Sequence, residues 1–565
     1  MDQLLTQIQN YYLFAARFLI PLICIYLLLS CARRLFASGK NQTIARLVMQ
    51  DSAVDFDITS QESAIGRSAI CDIRLNLPSV SRRHAVLTYN EKFGFKISAV
   101  GNAEIRVNDI PVDGYAYIQN GDVVELGGVK FCLTAVQDIT SGSHSAPRRS
   151  KGAVFEAVML TLFQLLAFFE IALHYQTELP VSVAAAFGLL IIGEWIYFAI
   201  RRFRGNIQIE ILGLFLTTFG MLVAASAAPS STMKLLLCAV IGVGLLSGFC
   251  FIFRDIEQTM KLRYFVAGAT ILLLVVNLIF GENLNGARNW IRLGSVISFQ
   301  PSELIKFAFI FVGAATLERL LTAKNIVLFL GFSCCCIGAL FLMRDFGTAS
   351  IYFVTMLIIC YMRSGDIRPI LVILAVAVVG AVVIINVMPY VTNRFEAYRH
   401  VWEMAADQGY QQTRTMIAIA SGGLFGLGGG NGNLYKVAAA DTDLVFGFVC
   451  EEWGMIAAFC ICASFIILAI YAFKCTRRTG SAYYAIAACA AAGLFIFQAS
   501  LNIFGSTDLL PLTGVTIPFV SNGGSSMIAS WALLSFIKAI GQQTGPTLPA
   551  SSPAGRGVTS RRARI

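Results

Sequence analysis

Over its 565 residues the chain is 56% hydrophobic and 13% charged, with a mean hydropathy of +0.70. A soluble globular domain is charged at roughly 25% of positions, so an all-soluble enzyme is excluded and a polytopic membrane protein with some soluble sequence is indicated. The formal net charge of +10 follows from Arg/Lys clusters beside apolar runs and calls for no nucleic-acid partner. Most of the 15 cysteines, Cys334 to Cys336 among them, sit inside apolar runs as small hydrophobes. No paired CxxC stands in a soluble segment, which argues against a zinc or disulfide framework.

Residues 1–40 read as a membrane anchor. The apolar run from about Tyr11 to Ser30 is long enough to span and is followed by Arg33 and Arg34, which predicts an outer N-terminus and a cytoplasmic continuation. A signal peptide would need a small-residue cleavage site, and none follows the run.

Residues 41–138 change character. Short alternating runs (IARLVM, DIRLNL, AVLTY, GFKISAV, VVELGGVKFCL) are separated by Gly, Asn, Asp and Pro, the pattern of a small β-sandwich. Gly66-Arg67, Ser81-Arg82-Arg83-His84, Val107-Asn108-Asp109 and Asn120-Gly121-Asp122 follow in order. This segment resembles the forkhead-associated (FHA) domain, an all-β phosphothreonine-binding module. The resemblance implies that Arg67 grips phosphate, that Ser81 contacts it, and that His84 braces a loop. Asn102 and Asn108 are the remaining phosphopeptide candidates. The family's NGT is replaced by Ala103-Glu104-Ile105, with Asn102 one place off. A guanidinium and a hydroxyl at a loop rim suit a phosphate dianion.

Residues 139–152 form a Ser/Pro/Arg linker. Residues 153–542 hold twelve apolar runs, near 153–173, 178–200, 207–226, 233–253, 264–281, 304–321, 325–343, 348–363, 369–389, 442–472, 482–506 and 523–542. The polar stretch around Asn522 is a re-entrant candidate. Residues 543–565 form a basic tail, expected to be disordered. The basic segments at 201–204, 254–263, 318–324, 362–368 and 474–478 and the tail all fall on one side. That parity puts the FHA segment and the C-terminus in the cytoplasm and the 390–441 loop outside, in a multi-pass plasma-membrane protein.

Four polar motifs then share the outer face. They are Gly286-Ala-Arg288-Asn289-Trp290-Ile-Arg292-Leu-Gly294 with Gln300-Pro301-Ser302-Glu303-Leu304, then Arg344-Asp345-Phe346-Gly347-Thr348, the 390–441 loop, and Leu510 to Ser526. Charges so close to hydrocarbon imply a wet cavity or a function, and Pro/Gly-rich breaks point the same way. Together with Thr442 to Gly454 these motifs resemble the SEDS family (shape, elongation, division and sporulation: FtsW, RodA, SpoVE) over about 210–540. The resemblance implies a polytopic α-helical bundle, here of about twelve spans plus the anchor. It also implies polymerisation of lipid II into peptidoglycan glycan strands, with a class B penicillin-binding transpeptidase as partner. An α-linked donor yielding a β-1,4 link requires inversion, so a base must take the proton of the acceptor 4-hydroxyl and cations must meet the pyrophosphate.

The family's acid lies in a W-x-D-P-x-G-x-G-Y-Q pattern. Here Trp402 to Gln411 aligns without a gap, and Met404 occupies the acid's position. A thioether is no base. Asp407, one helical turn on, is the first alternative and Glu403 the second. Loss of polymerase activity is the third. Asp345 matches a family acid at the cavity mouth, or pairs with Arg344. Glu303 and Lys306 are spaced for an intramembrane pair. Arg288, Arg292, Arg394, Arg399 and Arg414 are candidate pyrophosphate ligands, and Gln411, Ser521 and Ser525 complete the substrate set. A divalent cation such as Mg2+ is left open, with no ligands assigned. The competing reading is a non-catalytic lipid II transporter or an FHA scaffold of the wall machinery, which Met404 favours.

Overall fold

The computed structural model describes residues 2–37, 45–135, 151–387 and 398–542, less 51–53, 59–61, 69–70, 91–93, 102, 176–178, 204–205, 254–255, 285–286, 294–296, 318–322, 366, 477–478 and 480. The expected linker up to residue 150, the tail, Asn102 and Arg394 lie outside the described residues. The chain divides into two compact units, one built on residues 40–146 and one on the helices.

The smaller unit is a sandwich of two sheets. The strands are β1 (Ala45–Met49), β2 (Asp55–Ile58), β3 (Glu62–Gly66), β4 (Ile73–Arg74), β5 (Ala85–Asn90), β6 (Gly94–Ala99), β7 (Ile105–Val107), β8 (Ile110–Pro111), β9 (Tyr115–Ile118), β10 (Val123–Leu126) and β11 (Val129–Ala135). One sheet has the order β2-β1-β11-β10-β7-β8 and the other β4-β3-β5-β6-β9. The two-residue period expected from the sequence holds. Leu47, Ile65, Leu87, Ile97, Val124 and Leu133 turn inward and are buried, while their strand neighbours, Gly66 excepted, are half-buried or exposed.

The larger unit contains thirteen helices of 17 residues or more among the described residues, as the sequence predicts. They are α1 (Asp2–Ala37), α2 (Lys151–Tyr175), α3 (Val181–Ile200), α4 (Gln208–Ala227), α5 (Thr232–Ile252), α7 (Arg263–Phe280), α8 (Pro301–Leu317), α9 (Ala323–Leu342), α10 (Phe346–Ser364), α11 (Arg368–Val387), α13 (Val445–Thr476), α14 (Ala482–Ser506) and α15 (Gly524–Gln542). Two shorter helices, α6 (Ile256–Lys261) and α12 (Tyr410–Gly422), lie between them. Eleven of the thirteen are long and apolar enough to cross a membrane. Helix α4 is buried on all sides and forms the centre of the bundle. Helix α1 is tied in by charge. Arg34 Nε lies 2.8 Å from the fully buried Glu156 of α2, which also accepts from Ser30 Oγ at 2.6 Å and Gln208 Nε2 at 2.9 Å. A buried carboxylate is tolerable only with such partners.

Three features escaped the sequence reading. A three-stranded sheet, β12 (Glu282–Leu284), β13 (Ala287–Leu293) and β14 (Ile297–Phe299), joins α7 to α8. Residues 401–409 form consecutive turns instead of the helical turn assumed to bring Asp407 to the Met404 position. The buried Gly409 closes them, because a Cβ there would come within 2.2 Å of the Val401 carbonyl oxygen. Third, α13 is broken at Gly454 (φ 84°, ψ 166°). The segment after α12 crosses this break and bonds to it backbone to backbone. The N–H groups of Leu427 and Gly428 donate to the carbonyls of Glu451 and Glu452, and those of Met455 and Ile456 to Gly423 and Leu424. A Cβ on Gly422, Gly426 or Gly454 would fall within 2.4 Å of backbone oxygen.

Candidate functional site

One end of the bundle encloses a cavity of about 210 Å³, room for about seven waters at a liquid share of roughly 30 Å³ each. Its first wall is the start of α10. Arg344 takes a left-handed φ of 61°, which turns the chain so that Asp345 caps the helix. Asp345 Oδ1 accepts the Thr348 N–H at 3.1 Å. Its Oδ2 accepts from Asn289 Nδ2 at 2.8 Å and Gln300 Nε2 at 3.3 Å. The ion pair considered between Arg344 and Asp345 is therefore not formed; three neutral N–H donors hold the carboxylate, and Arg344 stands exposed at the rim.

The second wall is the turn before α13, with Ala439, Thr442 and Asp443. Asp443 lies over Gly514, which has a φ of +68° and whose missing Cβ would sit 3.3 Å from Oδ2. Thr513, Gly514, Thr516 and Asn522 to Ser526 (Gly524 excepted) make the third wall, with Ser525 and Ser526 buried. Ser521 lies beneath it, accepting from the Ile517 N–H at 2.9 Å and donating to the Thr442 carbonyl at 2.7 Å. Asn522 donates to Asp441 Oδ2 and Ser231 Oγ, both at 2.8 Å. The stretch expected to be re-entrant runs without regular structure to Ile517 and then through turns and bends at 518–522, pinned to two other loops.

Behind the third wall, Thr516 accepts from Gln498 Nε2 at 3.1 Å, and Gln498 Oε1 accepts from Lys306 Nζ at 2.9 Å. Lys306 also meets Glu303 at 2.7 Å, as its spacing predicted. The pair lies under the cavity wall, not on it.

The other predicted residues are spread out. Asp407 and Glu403 are exposed on the 401–409 turns, Glu403 lying 3.4 Å from His400 Nδ1, and neither lines the cavity. Gln411 Nε2 donates to the Ala438 carbonyl at 3.0 Å, next to the second wall. Arg414 lies 5.2 Å from the Tyr410 ring centroid, and the Arg399 N–H donates to Asp508 at 3.1 Å. Arg288 is exposed, and Arg292 makes a half-exposed pair with Glu282 at 3.3 Å. Such a pair contributes at most about 1 kcal/mol. Sequence reasoning missed Asp443, Asn289 and Arg344 as lining residues. The signal for Asp443 was its place in Asp441-Thr442-Asp443, directly before an apolar run. Among the described residues no group of three or more acids, histidines or cysteines is arranged to hold a metal ion, so no step is routed through Mg2+.

The sandwich carries a second site. A Cβ on Gly66 would lie 2.5 Å from the Arg82 carbonyl, so glycine lets the two loops touch. The Arg67 and Ser68 N–H groups then donate to the carbonyls of Ser81 and Arg82, each at 3.0 Å. Both Arg67 and Ser81 are exposed at this rim. His84 is buried, its Nδ1 accepting from the Ser81 N–H at 3.1 Å and its Nε2 lying 3.0 Å from the Glu104 carbonyl, as its bracing role requires. Asn108 instead uses its amide within the fold, donating to Asp122 and accepting from the Val123 N–H, both at 2.9 Å.

The family model FtsW/RodA/SpoVE, described as cell cycle protein, matches residues 207–545, and the FHA domain model matches 64–127. A probable peptidoglycan glycosyltransferase FtsW of Coxiella burnetii is 32% identical over 294 residues, covering 50% of this chain and 78% of that protein. The protein of the same description from Allochromatium vinosum is 30% identical over 276 residues, covering 47% and 68%. A chain from a solved peptidoglycan synthase complex, studied for coordination of polymerization and crosslinking, superposes with a TM-score of 0.50 at 26% identity, covering 60% of this chain and 98% of that one.

Proposed function

Because the chain belongs to the FtsW/RodA/SpoVE family, we propose that it is a membrane peptidoglycan glycosyltransferase that polymerises lipid II by an inverting displacement in the Asp345/Asp443 cavity. The observation that carries the reading is the pair of carboxylates on facing walls of one polar cavity, with a guanidinium at its rim. In the displacement the acceptor 4-hydroxyl oxygen bonds to the donor anomeric carbon. The bond from that carbon to the pyrophosphate oxygen breaks, and the oxygen leaves with the electron pair. A carboxylate receives the hydroxyl proton. Asp345 has both oxygens committed to N–H donors, which suits orientation of the substrate. We assign proton acceptance to Asp443 because its carboxylate lines the facing wall, over Gly514. Arg344, with the N–H and O–H donors of Asn289, Ser525 and Ser526, faces the developing pyrophosphate charge. Purified protein given labelled lipid II should form glycan strands. Lipid II translocation without strands would favour the transporter reading, for which Met404 is the specific support.

The sidedness we assign puts residues 398–443 outside and the sandwich in the cytoplasm. In a background free of other reactive thiols, an impermeant reagent should label Ser421→Cys on intact cells and leave Thr134→Cys unlabelled until lysis. The opposite pattern would remove the cavity from its substrate.

The partner we assign to the sandwich is a phosphothreonine segment of a cell-wall protein, and the partner of the membrane unit is a class B penicillin-binding transpeptidase. Charge-assisted bonds to phosphate contribute about 1.5–3 kcal/mol each, so Arg67→Ala should weaken phosphopeptide binding at least about tenfold. Detergent-purified polymerisation should stay near wild type. Titration of the full chain with a phosphothreonine peptide library and its unphosphorylated counterpart checks this, and equal binding of both would leave the sandwich a structural module.

A further inference from the structure

Away from the site, α7, α8 and α9 leave an apolar groove of about 400 Å³. Ala267 and Ile271 of α7, Val312 of α8, and Val327, Phe332 and Cys335 of α9 form its walls. From Arg263 to Ile271 the groove follows α7 for roughly 12 Å at 1.5 Å per residue, the shape of a hydrocarbon chain and not of a ring. Arg263, the first residue of α7, stands at its mouth beside Tyr264. Its Nη2 donates to the Tyr264 hydroxyl at 2.8 Å and its Nη1 to the Ala315 carbonyl at 3.4 Å. Both partners are neutral, and among the described residues no carboxylate pairs with this guanidinium. Tyr264, which accepts from Arg263, still has its own hydrogen to donate. An apolar slot therefore ends at two converging donors with a net positive charge.

We propose that this groove holds one acyl chain of an anionic glycerophospholipid from the bilayer, with its phosphodiester on Arg263 and Tyr264. The charge selects the headgroup. A phosphocholine lipid would bring a second cation beside Arg263, with no carboxylate there to take it, whereas phosphatidylglycerol brings a single uncompensated anion. The substrate lipid is a separate ligand on this reading, and the test does not depend on polymerisation.

The full chain would be reconstituted in bilayers of equal phosphatidylglycerol and phosphatidylcholine, released in detergent and weighed intact by native mass spectrometry. Phosphatidylglycerol should be retained about tenfold over phosphatidylcholine, the ratio for roughly 1.4 kcal/mol. Arg263→Gln should bring the ratio to unity. Gly331→Leu should remove both lipids, because Gly331 lines the groove and a Cβ there meets nothing within 4 Å, so leucine fills the slot without disturbing a polar contact. Equal retention of the two lipids in the wild type would overturn the proposal. So would retention unchanged in both variants, or displacement of phosphatidylglycerol by an equal amount of undecaprenyl phosphate.

Discussion

Asp443→Asn should lower lipid II polymerisation by about 10²–10⁴-fold, the usual scale for removal of a general base, with lipid II binding near wild type. The amide keeps the volume and the contact over Gly514 but cannot take the acceptor proton. Asp345→Asn should behave differently. An amide there places an N–H donor against Asn289 or Gln300, which themselves donate to Oδ2, so the α10 cap and the cavity wall should loosen together and substrate binding should fall with turnover. Asp407→Asn, on the exposed turns, should retain activity. Strand length on gels and lipid II binding, measured for all three, separate these outcomes. An inactive Asp407→Asn beside an active Asp443→Asn would return the base to the outer loop and require that loop to close over the cavity.

The second large effect is expected beneath the cavity. Lys306 is buried with Glu303 and Gln498, and nothing else described shares Glu303 as an ion pair. Lys306→Met should leave a buried carboxylate without its cation and cost about 3–5 kcal/mol of stability. Because Gln498 also holds Thr516 on the wall, activity should fall further than unfolding alone explains. The double variant Glu303→Gln/Lys306→Met should recover most of the stability, since neither charge is then stranded. Thermal unfolding in detergent reads the first effect. A single variant as stable as wild type would mean that the pair is solvated.

Much of this architecture was legible. Apolar runs of 16 or more residues could only be helices at this hydropathy, and the two-residue alternation in 41–138 could only be half-buried strands. The Glu303–Lys306 pair and the bracing role of His84 could likewise be read from spacing and motif. What the sequence hid depends on tertiary contact. Asn289, Asp345, Asp443 and Ser525 lie up to 236 positions apart, and only the packing of β13, α10, α13 and α15 puts them around one cavity. The helical turn inferred to bring Asp407 to the Met404 position failed because Gly409 folds back on Val401, a contact that no local propensity encodes. The break in α13 was masked by apolar residues on both sides of Gly454, although two consecutive glutamates before it were a warning.

That break also constrains how such chains can be recombined. Four main-chain hydrogen bonds join the 422–428 segment to the α13 break, so the matched lengths of the two segments decide much of the fit. A single inserted or deleted residue in either strand of this joint would offset all four bonds at once. Neither the 422–428 segment nor the 451–456 segment can therefore be exchanged with a homologous stretch on its own. The two form one cassette, and a viable splice point lies before Gly422 or after Ile456 with both carried across together.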